Sequence, residues 1–183
     1  MSEFNETCHL EAETQQAGVE LLRTAGATGF VLPPENGWVT IVPGAGEPVG
    51  PITRLAEGAL LHVLNADDRG WMFELFVDGI PVSAYLCRWD GGLMIDDRRL
   101  ELDPIVELAA RRGHDGETVR GDLERILHPS EQYIFEDEQA ENPAYLFAEL
   151  VGLADRRLEP SGEPAPEAAM VDTSDVARLA RLA

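Results

Sequence analysis

The chain has 183 residues, of which 34 are Asp or Glu and 14 are Arg, with no Lys, giving a formal charge of −20 at a hydrophobic content of 44%. Without lysine there is no side-chain amine for Schiff-base chemistry and no P-loop cation for a nucleotide's β- and γ-phosphates. The acidic field also disfavours direct nucleic-acid binding, which is built on Lys and Arg neutralising phosphates.

Cys8 and Cys87 read as two reduced thiols, the cytosolic norm, and Met1 to Gln16 has no basic leader segment. No apolar run nears the roughly 18 residues that span a bilayer, so the expectation is a cytoplasmic chain without membrane insertion. Length and composition predict one α+β domain over residues 1–157.

In chain order, Glu11 to Ala25 has a helical spacing of Ala17, Val19, Leu21 and Leu22 and stops at Gly26. Gly29 to Leu32 and Gly37 to Val42 read as two short strands, bounded by Pro33 and Pro43. After a Gly/Pro-rich loop, a short helix around Ile52 and Leu55 precedes a strand over Ala59 to Leu64.

The strongest local signal spans Trp71 to Trp89, where Asp78-Gly79 carries the chemistry of a two-residue hairpin turn. Strict alternation from Val77 opposite Ile80 puts Trp71, Phe73, Leu75, Val82, Ala84 and Leu86 on one apolar face. It puts Met72, Glu74, Phe76, Ser83, Tyr85 and Cys87 on the other. That second face is mixed, so it is half covered or binds something.

Past Asp90-Gly91-Gly92 the pattern turns helical. Asp103-Pro104 starts one helix, Glu117 to Leu127 forms a second, and Asn142-Pro143 caps a third. Residues 158–172 read as a flexible Pro/Glu/Ala linker, and 173–183, with Val176, Leu179 and Leu182, as a C-terminal docking helix. Strands followed by helices predict an α+β fold with an antiparallel sheet centred on the 71–89 hairpin and three helices packed on it.

No catalytic set assembles from spacing. His9, His62, His114 and His128 fall in four different elements, and none shares a helical face with another. His114-Asp115 resembles the paired ligands of HD phosphohydrolases over two residues only, in a Gly-flanked loop. Cys87 is the one thiol candidate for a nucleophile, Ser83 lacks a nucleophile elbow, and Pro43-Gly44-Ala45-Gly46 lacks the third glycine of a dinucleotide loop. Asp67, Asp68, Asp78, Asp90, Asp96 and Asp97 lie at strand ends, which supports an alternative reading as a small enzyme or ligand-binding protein holding a divalent ion through oxygen ligands. Turns favour Asp for their own reasons.

The pattern of a Gly-Trp strand followed by Asp67, Trp71, Phe76, Asp78 and Gly79 resembles uncharacterised small acidic bacterial α+β proteins. The resemblance covers about residues 37–90 and implies no activity.

The leading expectation is a non-enzymatic interaction module, inhibitory or immunity-like, without a cofactor, that engages a basic or amphipathic protein. Its contact residues are taken as Phe76, Tyr85, Arg88, Trp89, Leu179 and Leu182, because aromatic residues and Arg dominate interface hot spots. Self-assembly as a homodimer through the tail is a third expectation.

Overall fold

The computed structural model describes residues 4–66, 69–135, 141–153 and 167–172. Eight strands and six helices are formed among them. The strands build one antiparallel sheet in the order β7-β6-β5-β4-β1-β3-β2-β8, which places the chain in the α+β class. The chain divides into two compact units. Among the described residues, one comprises 4–5, 63–66, 69–75, 81–135 and 141–153, and the other 6–62, 76–80 and 167–172.

The second of these units contains most of β1 (Phe4–Glu11), helix α1 (Gln15–Ala25), β2 (Gly29–Val31), β3 (Trp38–Pro43), α2 (Val49–Leu55), the start of β4 (Ala59–Ala66) and β8 (Ala169–Val171). β1 runs antiparallel to β3, with Cys8 opposite Ile41 and Leu10 opposite Val39. These side chains and Leu22, Val31, Ile52 and Leu60 make its buried core. α1 ends on Gly26 at φ 65°, where left-handed backbone lets Gly26 N–H and Ala27 N–H reach the carbonyls of Arg23 and Leu22.

Two elements here differ from the sequence expectation. Phe4–Glu11, to which the sequence pattern assigns no element, is a strand, and the first helix begins at Gln15 and not at Glu11. The strand's period-2 signal is masked because Thr7 and His9, alternating with Cys8 and Leu10, are polar yet buried. Ala169–Val171, inside the stretch whose composition reads as linker, is an edge strand on β2, with Val171 opposite Gly29. Val171 is buried in the core, and the Gln15 amide donates to both Val31 O and Glu167 O. A single buried valine in a Pro/Glu/Ala context leaves no pattern to detect.

The other unit contains most of β5 (Gly70–Val77) and β6 (Ile80–Arg88), β7 (Met94–Arg99), and helices α3 (Leu102–Ala110), α4 (Gly116–Leu127), α5 (Glu131–Phe135) and α6 (Pro143–Leu150). Asp115 caps α4 by accepting from Thr118 N–H, and Asn142 caps α6 by accepting from Ala144 N–H. α3 packs on α4 and α4 on α6. β7 falls in the stretch past Asp90-Gly91-Gly92 where the sequence pattern turns helical, and four of its six residues are charged. It is held as a strand by pairing with β6, Cys87 opposite Ile95 and Arg88 opposite Met94.

The hairpin turn forms as expected, with Asp78 at φ 49° and Gly79 at φ 73°, the two left-handed residues such a turn requires. The face assignment beyond it changes. The Tyr85 ring lies 5.1 Å from Trp71 and 5.8 Å from Phe73, so it shares their face and not that of Met72. The β6–β7 ladder is irregular at this point, its register shifting between Ala84 and Leu86. The extra residue lies in β7, where Arg99 faces Ala84 and Asp96 faces Leu86, so this bulge brings Asp96 and Arg99 to one face of the sheet.

Candidate functional site

The two faces of β5, β6 and β7 carry different chemistry. On the inner face Phe73 stacks on Phe147 of α6 at 4.5 Å and 10°, with Trp71 and Tyr85 completing the aromatic cluster. Tyr85 is 2% exposed, and its hydroxyl donates to Leu127 O at 2.6 Å. Burial pushes its phenol up from the usual range. Ser83 Oγ accepts from the Glu101 N–H. Every polar group named on this face is spent on holding helices to the sheet.

The outer face is open. A groove of about 440 Å³ runs across it, lined by half-buried Met72 and Leu86 and rimmed by Glu74, Asp96, Arg98 and Arg99. Arg98 binds Asp96 with two nitrogens, Nε to Oδ1 at 2.8 Å and Nη2 to Oδ2 at 2.5 Å. The guanidinium holds the Asp96 carboxyl at about 2, below the ordinary carboxylate range. Arg99 Nη2 donates to Glu74 Oε1 at 3.0 Å. Arg88, on the next strand, is exposed and donates to Asp90 Oδ1 at 3.2 and 3.3 Å. Trp89 beside it is half-buried. The groove thus combines an apolar floor with a rim of alternating charge.

The residues singled out from sequence fall apart spatially. Tyr85 is in the aromatic core, and Phe76, 8% exposed, is in the core of the other unit. Arg88 and Trp89 reach the surface. Leu179 and Leu182, with the expected docking helix, lie outside the described residues. Met72, Leu86, Arg98 and Arg99 were missed. The signal that finds them is the pairing of β7 with β6, which a run of four charged residues conceals.

The nucleophile and metal candidates have structural occupations. Cys87 is fully buried, its thiol raised by desolvation although the Tyr85 hydroxyl acts the other way. Cys8 is pushed up to about 12 by burial and by Glu6. Neither is activated as a thiolate. Asp78 Oδ1 accepts the Gly58 N–H at 2.8 Å, Asp90 and Asp96 bind arginines, and Asp97 Oδ2 lies 3.2 Å from His128 Nε2. Asp67 and Asp68 lie outside the described residues. Among the described residues no three His, Cys, Asp or Glu side chains are grouped to hold a metal ion.

The histidines are less scattered than their spacing implies. His62 Nε2 lies 3.0 Å from Glu6 Oε1. His9 sits between two hydroxyls, Nε2 2.9 Å from Thr7 Oγ1 and Nδ1 3.1 Å from Thr40 Oγ1. Burial, and secondarily the charge of His62, lower His9 to about 3, so it is a neutral core imidazole. This network depends on β1, a strand that lies before Glu11, where the first element read from the sequence begins.

Among the described residues, no helix is long and apolar enough to cross a membrane. Comparison with protein-family models, curated proteins and solved structures yields no match to this chain.

Proposed function

We propose that this protein is a non-enzymatic, cytoplasmic interaction module that binds an amphipathic protein through the outer face of β5, β6 and β7. The observation that carries this reading is the groove itself: Met72 and Leu86 half exposed on a sheet face, framed by the Arg98–Asp96 and Arg99–Glu74 pairs. Apolar contact surrounded by a polar rim is the usual anatomy of a protein interface. Exposed ion pairs contribute little to folding, about 0–1 kcal/mol each, so their guanidinium and carboxylate groups are cheaply re-partnered across an interface.

The −20 charge acts at longer range by steering a basic partner towards the molecule, an effect on association rate that fades with salt. The buried states of Cys8, Cys87 and His9 favour binding over chemistry. The contact set is accordingly revised to Met72, Leu86, Arg88, Trp89, Arg98 and Arg99.

Immobilised full-length protein, exposed to lysate of its source cells, is the test. The wild type captures a specific protein, and the Leu86→Asp variant loses at least about 90% of it, because a charge is placed on the apolar floor. Equal capture by both would overturn the assignment of the face.

A further inference from the structure

A second concavity lies away from this face, where the C-terminal end of α4 meets α5 and α6. It is a crevice of about 290 Å³. Its walls are apolar, with Ile126, Pro129 and Pro143 buried and Leu146 half-buried, and the Tyr133 ring closes one side. Among the described residues, the charged or titratable side chains on its lining are Arg125, His128 and that tyrosine. An apolar pocket with a few convergent donors is the usual form of a small-molecule site, and this volume is at the small end of the range.

The donors define what fits. Arg125 is 62% exposed, and its one contact with a carboxylate is Nη2 to Asp122 Oδ1 at 3.4 Å, a long bond that leaves most of the guanidinium fork for a ligand. His128 faces acceptors with both ring nitrogens, Glu124 O from Nδ1 at 3.2 Å and Asp97 Oδ2 from Nε2 at 3.2 Å. The Ser130 oxygen itself accepts the Tyr133 N–H, and the Tyr133 hydroxyl donates to Glu141 O.

We propose that this crevice is a binding site for a small organic acid, its aryl or alkyl body seated against Tyr133, Leu146 and the two prolines and its carboxylate on Arg125. The probes are phenylacetate and its neutral isostere phenylacetamide, titrated into the full-length protein while backbone amide resonances are followed by NMR. Saturable shifts confined to residues 125–133 and 143–146 are expected, with the acid binding about tenfold more tightly than the amide. Arg125→Gln abolishes that preference while leaving the thermal midpoint unchanged, and Leu146→Trp, which fills the crevice, abolishes binding of both probes. The proposal is overturned if acid and amide bind alike, if shifts map elsewhere, or if neither probe saturates at millimolar concentration.

Discussion

Tyr85 shows how a single side chain changes meaning between sequence and structure. As a large aromatic on a mixed strand it reads as a contact residue, yet its hydroxyl is a buried tie to the end of α4 through Leu127 O. Tyr85→Phe removes a donor and leaves that carbonyl without it, so urea unfolding should report a loss of about 1–2 kcal/mol. An unchanged midpoint would deny the bond its role. His9 gives a test by pH. The folded chain keeps it neutral down to about pH 3, whereas the unfolded chain takes up a proton below about 6.5. Its contribution is therefore complete above pH 6.5 and declines as pH falls towards 3, by about 1.4 kcal/mol per unit. Between pH 7.5 and pH 5 the stability advantage of wild type over His9→Gln should shrink by about 2 kcal/mol, the carboxylates being common to both. A constant difference would mean that the imidazole is not held neutral.

Among the elements, those with a complete local signal are legible and those that depend on a neighbour are not. The 78–79 turn is legible because its chemistry is local: both residues need left-handed backbone, Asp78 also bonds Gly58, and a Cβ on Gly79 would lie 2.3 Å from the Arg54 carbonyl oxygen. Gly79→Ala should therefore destabilise by at least about 2 kcal/mol in thermal or denaturant unfolding, since positive φ and steric overlap add. A loss below about 0.5 kcal/mol would contradict this turn geometry. α4 and α6 are legible from their stripes, and α6 also from its Asn cap. β1, β7 and β8 are strands only because β3, β6 and β2 pair with them. The candidate groove inherits that opacity. Its floor and rim come from three strands, one with four charged residues in six, and an extra residue in β7 opposite Tyr85 brings Asp96 and Arg99 to the same face.

For the molecule as a whole, the legible property is charge, and it constrains partners more than it constrains the fold. A surplus of carboxylates repels phosphates and attracts cationic surfaces, while the few arginines that line the groove are balanced by Asp96 and Glu74. Raising salt from about 0.05 to 0.5 M should therefore slow association with a captured partner and leave dissociation nearly constant. The central claim is that the outer face of β5, β6 and β7 meets another protein. The most direct measurement is photo-crosslinking in source-cell lysate from a photoreactive residue at Arg98, whose side chain is 84% exposed, against the same residue at Tyr145, 37% exposed on α6. A discrete adduct from position 98 and none from 145 is the predicted result; no adduct from 98, or the same adduct from both, would contradict it.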